Sequence, residues 1–416
     1  MARIVMKFGG TSLADIRCIR NVLCHVKREV DLGHEVAIVV SAMAGTTNQL
    51  VSWTQDIADL YNFREYDVVV SSGEQVTAGL LALMLQAEGM NARSWMGWQI
   101  PIVTDSVYGC ARIKSIDPSK LLKGFQHGQV AVIAGFQGMS FDGNITTLGR
   151  GGSDTSAVAI AAVIKASRCD IYTDVDGVYT TDPRIESKAR RLSRVAFEEM
   201  LEMASLGAKV LQVRSVELAM VHKVRIFVRS SFDMGSASAR AEGDFVGTLI
   251  CDEEEIVEQQ FVSGIAFAKD EAQISLRRLA DKPGVAAAVF ASLAEENINV
   301  DMIVQNISEH GATTDMTFTV SSSDLERAVN ILERSCHKVI CDDLQFESGL
   351  AKVSVIGIGM RNHAGVAATA FKALSEKGIN IRAITTSEIK ISILIDNAYT
   401  ELAVRILHSV YHLDKE

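Results

Sequence analysis

The sequence predicts an α/β protein in which a mainly parallel sheet domain is followed by two smaller modules. In the N-terminal half, continuous apolar runs of five or six residues alternate with helical stretches, a pattern typical of parallel strands buried on both faces. Near the C-terminus, residues 284–303 and 365–384 align without a gap and share ten of twenty residues. Each copy opens a strand–helix–strand–strand–helix unit, so the two modules are predicted to share one fold.

The first predicted strand is Ile4–Phe8, which runs into Gly9-Gly10 and a helix from about Leu13 to Leu32. Lys7 therefore lies near the carboxyl end of a strand, beside a Gly-Gly turn. Ligands of open α/β sheets bind at that end. The alternative is a lysine that merely reaches solvent from a strand end.

A second predicted strand, Glu35–Val40, ends in the small-residue loop 41–48 at the same edge of the sheet. Further on, Glu74 lies in the first turn of another helix. A carboxylate there complements the helix dipole, and it is equally suited to receive a substrate ammonium group. The sequence leaves both interpretations open.

The most distinctive stretch is Thr146–Ser156, with three glycines, Arg150 and Asp154, followed by the apolar helix 157–164. Glycines let a backbone approach a ligand closely, and the N–H groups at a helix start attract anions. Arg150 beside them strengthens this prediction. A glycine-rich turn that only begins a helix is the alternative.

Another strand is predicted over 169–179, with aspartates near its end and a loop over 180–184; the domain closes near 224–229. We expect the first domain to cover 1–245 and a linker to cover 246–260, since 235–243 is rich in Ser, Ala and Gly and 252–255 is acidic.

The second repeat ends without the last strand that 337–340 provides for the first. A spare strand, 261–267, precedes the first repeat. We therefore predict that the first module (270–342) is inserted in the second (261–269 plus 343–416). The alternative is a truncated module with an exposed sheet edge, which proteins usually avoid.

Composition excludes several classes of function. The net charge of −10 argues against a nucleic-acid partner. Seven scattered cysteines without a Cys-x-x-Cys pair are typical of reduced thiols. No signal peptide is recognised and no apolar run is judged long enough for a bilayer, so we expect a cytoplasmic protein without a membrane partner.

The motifs also narrow the chemistry. There is no Walker-type phosphate loop, complete Gly-x-Gly-x-x-Gly, His-x-x-x-His pair or Gly-x-Ser-x-Gly elbow. Covalent and metal-hydrolase mechanisms are therefore disfavoured, and no protein-held metal site is predicted. Phosphoryl transfer needs mainly positioning and cations, which Lys7 and glycine-rich amides supply.

Three motifs in order, Lys7–Ser12, Thr147–Asp154 and Thr173–Tyr179, with Asp182-Pro-Arg184, strongly resemble the aspartate kinases of the amino acid kinase family. The paired repeats resemble ACT domains. The resemblance covers essentially the whole chain. It implies a carbamate kinase-like three-layer α/β/α domain followed by two βαββαβ ferredoxin-like ACT domains, without a fused homoserine dehydrogenase.

By this resemblance, the γ-phosphoryl group of MgATP would pass to the β-carboxylate of L-aspartate, the first step toward lysine, threonine, methionine and diaminopimelate. Lys7 would neutralise charge on the moving group and Asp154 would orient Lys7. The implied substrate-binding residues are Ser41, Thr47, Glu74, Arg150, Gly151, Gly152 and Ser153. The implied nucleotide-binding residues are Lys7, Gly9, Gly10, Thr173, Asp174, Tyr179, Arg184 and Lys209. Mg²⁺ would arrive with ATP.

The resemblance also implies regulation by lysine, threonine or both, and a homodimer or tetramer formed through the ACT domains. The implied effector-binding residues are Asp281, Gly284, Ala286, Asn299, Asp301, Gln305, Asn380 and Ile381. The second repeat has Ala364 where the family often has proline.

Two other functions remain in competition. One is a different amino acid kinase, such as a glutamate kinase. The other is a catalytically silent amino-acid sensor that uses only its ACT modules. The presence of Lys7, Arg150 and Asp154 argues against a silent protein. Which effector acts, and whether an internal start also yields a regulatory subunit, stay open.

Overall fold

Short strands of almost uniformly apolar residues form the centre of the protein. The computed structural model describes residues 2–57, 62–207, 210–233, 246–256, 261–307, 313–336, 343–363 and 365–415. Within these ranges the chain divides into two compact units: Met1–Val178 with Arg191–Glu258, and Tyr179–Arg190 with Gln259–Glu416.

The first unit contains an eight-stranded sheet. Its strands are β1 (Arg3–Phe8), β2 (Glu35–Val40), β3 (Ala92–Trp95), β6 (Val130–Ala134), β9 (Arg168–Thr173), β10 (Arg194–Ala196), β11 (Ile226–Ser230) and β12 (Thr248–Cys251). They lie in the order β10-β12-β11-β9-β1-β2-β6-β3. All neighbouring pairs are parallel except β11 and β12.

A second, four-stranded sheet in this unit carries the glycine-rich stretch. It comprises β4 (Ile102–Thr104), β5 (Ile113–Ile116), β7 (Gln137–Ser140) and β8 (Ile145–Thr147), in the order β5-β4-β7-β8. The apolar run 130–138 is divided between β6 and β7, because Phe136 adopts a positive φ of 68°. This change of direction carries the chain from one sheet to the other.

Helices cover both faces of the large sheet. They are α1 (Ile16–Asp31), α2 (Thr46–Ile57), α3 (Phe63–Val70), α4 (Ser72–Ala87), α5 (Ser119–Gln126), α6 (Gly152–Val163), α7 (Phe197–Ser205) and α8 (Val213–His222). Met6 and Phe8 face the core shared with α1 and α4. Because side chains alternate along a strand, Lys7 faces the opposite side, where α6 packs against β1. The α/β/α layering is therefore observed.

One apolar helical stretch, Phe63–Ala87, is long and hydrophobic enough by composition to cross a membrane. This differs from the expectation that no apolar run reaches that length. Half of its most apolar window is buried inside the protein. It forms α3 and α4, and each of them carries a buried carboxylate, Asp67 and Glu74. Core helices pass the same length and hydropathy test.

The expected linker is wrong in part. Its residues Thr248–Cys251 form β12, which pairs with both β10 and β11 in the large sheet. The run of acids that suggested a linker follows this strand rather than replacing it. Conversely, residues 179–190, expected in the first domain, belong to the second unit.

The second unit contains one six-stranded antiparallel sheet. Its elements are β13 (Gly264–Ala280), α9 (Val285–Glu295), β14 (Asp301–Ile307), β15 (Thr313–Ser321), α10 (Leu325–Cys336), β16 (Asp343–Ile356), α11 (Val366–Glu376), β17 (Ala383–Thr386), β18 (Lys390–Asp396) and α12 (Thr400–Val410). The order is β14-β15-β13-β16-β18-β17. The strand expected over 337–340 lies outside the described residues.

Two long strands join the repeats. The start of β13, Gly264–Ala268, pairs with the end of β16, Lys352–Ile356, next to β18. The later part of β13 pairs with β15 and with the start of β16. Each repeat therefore lies in one four-stranded half of the sheet. The long strands β13 and β16 run through both halves. Two separate cores underlie the halves, one under each pair of helices.

Candidate active site

The candidate site is built on the ion pair between Lys7 and Asp154. Lys7 Nζ lies 2.6 Å from Asp154 Oδ1, and both residues are only 8% exposed. Lys7 comes from the end of β1 and Asp154 from the first turn of α6. A carboxylate at this position also complements the positive end of the helix dipole. The pair therefore holds a cation near the start of α6.

The turn after β1 is built for close backbone approach. A Cβ on Gly9 would lie 3.6 Å from Lys7 Nζ, and one on Gly10 would lie 3.1 Å from the Ala42 carbonyl oxygen. The Gly9 N–H donates to the Tyr172 carbonyl at 3.2 Å. This differs from the expectation that Gly9 donates its amide to a phosphate. Ser12, in the 3₁₀ turn Gly10–Leu13, has a buried hydroxyl without a hydrogen-bond partner among the described residues.

Glu74 is a buried carboxylate with one oxygen engaged. It is 3% exposed, and its Oε1 accepts the Ala42 N–H at 3.0 Å. Oε2 has no hydrogen-bond partner among the described residues. Burial raises the pKa of Glu74 from its usual 4.5 to about 7, against the lowering effect of the Ala42 N–H. An ammonium group would satisfy the second oxygen and favour the ionised form.

The glycine-rich stretch forms the tight turn that begins α6. Gly149 and Gly151 have positive φ values of 76° and 67°, and Gly151 is the residue that caps the helix. A Cβ on Gly151 would lie 1.9 Å from Gln212 Cγ, so no side chain fits there. Arg150 between them is exposed, and no ion pair or hydrogen bond engages its guanidinium within the described parts of the chain. It is available to an anion.

The remaining predicted substrate residues lie around this turn and the loop after β2. Ser41 follows β2 and donates its N–H to the Phe8 carbonyl at 3.2 Å, whereas Thr47 is half-buried in the first turn of α2. Gly152 begins α6 at a point where a Cβ would meet Phe136 Cδ2 at 2.8 Å. Ser153 is buried. A Cβ added at Gly135 would lie 3.0 Å from the Ser153 hydroxyl oxygen.

The predicted nucleotide residues are divided between the two units. Thr173 ends β9, and its hydroxyl donates to the exposed carboxylate of Asp174 at 3.1 Å. Tyr179 and Arg184 belong to the second unit, where Arg184 is exposed and pairs with Asp182 at 2.6 Å. Lys209 lies outside the described residues. Thr173 and Asp174 lie at the end of β9, the strand that pairs with β1.

The predicted effector residues fall into two equivalent places in the second unit. Gly284 and Gly365, at the starts of α9 and α11, have positive φ values of 96° and 111°. Asp281, Asn299, Gln305 and Asn380 are exposed, while Ala286 and Ile381 are half-buried. Asp301 forms an ion pair with the buried Lys352, which also lies 3.2 Å from Glu271. Its carboxylate is therefore already neutralised by the chain.

Sequence reasoning did not identify two residues that bind the segment before the Gly149–Gly151 turn, Asp67 and Arg214. Asp67, in the apolar helix α3, accepts the Thr147 N–H. Arg214, at the start of α8, donates to the Leu148 carbonyl. The only available signal was an acid interrupting the apolar face of α3.

Chemically, this arrangement suits transfer of a charged group between two anionic ligands. It offers a cation at the start of a helix, a free guanidinium and a buried carboxylate with an unused oxygen. Among the described residues no group of three His, Cys, Asp or Glu side chains could hold a metal ion.

Comparisons with known proteins identify the family of each part of the chain. Residues 2–230 match the family model described as the amino acid kinase family, and residues 277–335 and 353–411 each match an ACT domain model. The chain is 50% identical over 415 residues to a protein of Pseudomonas putida named aspartate kinase, covering all of this chain and 98% of that relative. It is 47% identical over 413 residues to an aspartokinase of Helicobacter pylori, covering 99% and 100%.

Two solved structures are similar over nearly the whole chain. The first, E. coli aspartokinase III in complex with aspartate and ADP, has a TM-score of 0.79 and 28% identity, with 98% of this chain and 99% of that chain covered. The second, the same enzyme in complex with lysine and aspartate, has a TM-score of 0.73 and 28% identity, with 98% of each chain covered.

Proposed function

Because this chain belongs to the amino acid kinase family and carries two ACT domains, we propose that it is an aspartate kinase, which transfers the γ-phosphoryl group of MgATP to the β-carboxylate of L-aspartate. The product is 4-phospho-L-aspartate, an intermediate of amino-acid biosynthesis. The observation that carries the proposal is the Lys7–Asp154 ion pair at the start of α6, next to the free guanidinium of Arg150. The full-length relatives named aspartate kinase support the choice of substrate.

In this proposal the substrate is held by its two α-groups. Arg150, exposed and unpaired within the described chain, receives the α-carboxylate, and guanidinium binds a carboxylate in bidentate geometry. The unused Oε2 of Glu74 receives the α-ammonium group. Ser41, Thr47, Gly151, Gly152 and Ser153 line the space around them. The β-carboxylate is thereby left free to attack.

Lys7 carries the electrostatic part of the reaction. Negative charge grows on the oxygens around the transferring phosphoryl group, and a preorganised ammonium group stabilises it. Asp154 fixes the Lys7 side chain at 2.6 Å, so the cation needs no reorganisation during the reaction. No covalent intermediate with the protein is required.

The residues at the end of β1 fit a nucleotide phosphate. A Cβ on Gly10 would crowd the Ala42 carbonyl oxygen at 3.1 Å, and the buried Ser12 hydroxyl lacks a partner among the described residues. We assign the phosphates to this turn and to Lys7, with Thr173 and Asp174 at the neighbouring strand end and Tyr179, Arg184 and Lys209 as further contacts. Mg²⁺ supplies charge neutralisation when it is bound to the nucleotide.

The ACT domains make regulation by an amino acid part of the proposal. A relative's structure holds lysine, so lysine is the first effector to test, with threonine and the combination next. The two effector sites of this proposal are the turns at Gly284 and Gly365, with Asp281, Ala286, Asn299, Gln305, Asn380 and Ile381 around them. We propose that the ACT domains also join subunits into a dimer or tetramer, which light scattering coupled to gel filtration measures.

The test of the function is hydroxamate formation from L-aspartate, ATP and hydroxylamine. We expect product with aspartate and none with glutamate, because a longer side chain places its carboxylate beyond the phosphoryl group. Lysine and threonine, singly and together, are then added. If folded, ADP-binding protein forms no aspartyl hydroxamate, the catalytic proposal is wrong and an amino-acid sensor takes its place.

A further inference from the structure

Asp67 in α3 is a fully buried carboxylate with no role in the proposed reaction. Both of its oxygens lie 3.0 Å from the Gly109 N–H group. Oδ2 also accepts the Thr147 N–H at 2.9 Å, and Oδ1 accepts the Thr147 hydroxyl at 2.6 Å. Within the described chain no lysine, arginine or histidine pairs with it. Burying a carboxylate without a cation is unfavourable, so these hydrogen bonds alone must hold it.

Arg214 in α8 binds the same two segments through their carbonyl groups. Its Nη1 donates to the Leu148 carbonyl and its Nη2 to the Ala111 carbonyl, both at 2.8 Å. The segments are also joined directly, because the Ala111 N–H donates to the Thr147 carbonyl at 2.8 Å. The carboxylate of Asp67 only accepts hydrogen bonds, and the guanidinium of Arg214 only donates them. The two side chains therefore bind complementary backbone groups of the same two segments, 109–111 and 147–148.

These segments lead directly into the turn that carries Arg150. Leu148 is followed by Gly149, where a Cβ would lie 3.3 Å from the Gly109 carbonyl oxygen. The turn thus rests on segment 109–111, which Asp67 holds in place. A shift of either segment would move Arg150.

On its other side, Asp67 is linked to Glu74. Helix α3 ends at Val70 and α4 begins at Ser72, so the two carboxylates lie on consecutive helices seven residues apart. The junction between the helices is tied to the second sheet, since Gln137 Nε2 donates to the Ser71 carbonyl at 3.0 Å. Asp67 consequently connects the helix pair that carries Glu74 to the strand that leads to Arg150.

We propose that Asp67 is a positioning residue for the amino-acid substrate: by binding Thr147 and Gly109, it sets the spacing between Glu74 and Arg150. Arg214 supports the same segments through the carbonyl groups of Leu148 and Ala111. This inference rests on the proposed function, in which Glu74 and Arg150 receive the two α-groups of aspartate. It assigns Asp67 to substrate geometry rather than to the transfer step.

The first experiment compares the steady-state kinetics of Asp67→Asn with those of the wild type. The amide group keeps the shape but turns one acceptor oxygen into a donor that faces the Thr147 and Gly109 donors. We expect KM for aspartate to rise about tenfold or more, since misplacement by about 1 Å weakens a two-point contact strongly. KM for ATP should stay within about twofold, because none of the proposed nucleotide residues belongs to segments 109–111 or 147–148.

Two further variants test the same hydrogen bonds with less risk to folding. Thr147→Val removes only the hydroxyl that donates to Asp67 at 2.6 Å, whereas Thr147→Ser keeps it. We expect Thr147→Val to raise KM for aspartate several-fold and the serine variant to restore it to near the wild-type value. The Thr147 N–H contact to Asp67 is unchanged in both.

Glu199→Gln is the matched control for loss of a buried carboxylate. Glu199 is fully buried in α7 and accepts the Ala196 N–H at 3.1 Å, a contact outside segments 109–111 and 147–148. Its variant should lose stability without a rise in KM for aspartate. Thermal unfolding of all four variants separates stability from substrate geometry.

The outcomes distinguish this inference from the function on which it rests. A wild type that forms no aspartyl hydroxamate overturns the proposed function. An active wild type overturns the positioning role if Asp67→Asn keeps the wild-type KM for aspartate, or raises it no more than Glu199→Gln does. If Asp67→Asn does not fold, equal KM values for Thr147→Val and Thr147→Ser overturn it instead.

Discussion

At the scale of single residues, the Lys7–Asp154 pair shows how far residue type and strand position predict a site. A lysine at the end of a buried strand and an aspartate at a helix start were both visible in the sequence, and the structure brings them to 2.6 Å. The state of Glu74 was not visible, because its single Ala42 N–H contact and its unused oxygen depend on how α4 packs against the loop after β2.

The first residue-scale prediction concerns Lys7→Ala. Its charge acts mainly on the transition state, so kcat should fall about 10²–10³-fold while KM for aspartate changes little. Initial rates of hydroxamate formation over a range of aspartate concentrations measure both constants. Circular dichroism and thermal unfolding serve as checks that the variant is folded. A large rise in KM with unchanged kcat would assign Lys7 to aspartate binding instead.

The second residue-scale prediction is a pH dependence that originates in Glu74. Burial raises the pKa of this carboxyl to about 7, so below that pH the free protein carries it protonated and neutral. A neutral carboxyl does not attract the substrate ammonium group. We therefore expect kcat/KM for aspartate to fall about tenfold per pH unit below pH 7 and to level off above it.

Glu74→Gln is the control for this profile. The amide cannot ionise, so the step near pH 7 should disappear and KM for aspartate should stay high at every pH. At saturating aspartate the step in kcat should move to lower pH, because the bound ammonium group stabilises the carboxylate. Persistence of the same step in Glu74→Gln would assign the titration to another group.

At the scale of elements, prediction succeeded where the local sequence determines the conformation. The Gly149–Gly151 turn and the start of α6 follow from glycines that adopt positive φ. The strand β12 was missed, because a four-residue strand between a Ser/Gly-rich stretch and an acidic run carries almost no local signal. Its place in the sheet depends on pairing with β10 and β11, which are distant in sequence.

Asp67 illustrates the same limit inside a helix. An acid in an apolar run looks like a break in the hydrophobic face of α3, and only the fold brings Gly109 and Thr147 to it. Contacts that span forty or eighty residues of sequence leave no periodic pattern. Residues that position a site are therefore harder to predict than residues that form it.

The element-scale prediction tests the turn that begins α6. Gly151→Ala adds a Cβ at a φ of 67°, 1.9 Å from Gln212 Cγ. The left-handed backbone costs an alanine about 1–2 kcal/mol, and the overlap with Gln212 about 1–3 kcal/mol more. We expect a clear loss of unfolding free energy in denaturant titrations and a raised KM for aspartate, because Arg150 is displaced.

Gly143→Ala is the matched control. Gly143 has a φ of 80° and no atom within 4 Å of the added Cβ, so it carries the backbone cost without the overlap. The free energy of unfolding of this variant should fall by about 1–2 kcal/mol, and its KM for aspartate should stay unchanged. Equal losses in the two variants would show that Gln212 moves aside and that the close contact at Gly151 is unimportant.

At the scale of the whole molecule, the repeat in the sequence predicted the second unit better than any single element. The matching positive φ values at Gly284 and Gly365 reflect two copies of one turn. Asp301, which the resemblance implies to be an effector residue, forms an ion pair with Lys352, which lies outside the repeated segment. A repeat predicts the shared backbone, but the side chains opposite it come from other parts of the chain.

The chain leaves the first unit after Val178 and returns to it at Arg191. The intervening residues 179–190 are part of the second unit. The Thr180 hydroxyl bonds His408 Nε2 at 2.9 Å, and the Thr180 carbonyl accepts the Ile265 N–H at 2.7 Å. Arg405 Nε donates to the Ile185 carbonyl at 2.8 Å. An effector that rearranges α12 would therefore act on a loop that follows β9 and Asp174 closely along the chain.

The whole-molecule prediction is that Thr180→Val weakens this link. The substitution removes the bond between the Thr180 hydroxyl and His408 and also the bond that this hydroxyl accepts from the Arg190 N–H at 3.0 Å. Allosteric couplings are typically about 1–3 kcal/mol and each buried hydrogen bond contributes about 1 kcal/mol, so the effector concentration for half-inhibition should shift several-fold. Without effector, kcat should change little. Thr400→Val is the control, because among the described residues this buried hydroxyl in α12 bonds only the nearby Asn397. Equal effector responses in Thr180→Val, Thr400→Val and the wild type would show that the signal does not pass through residues 179–190.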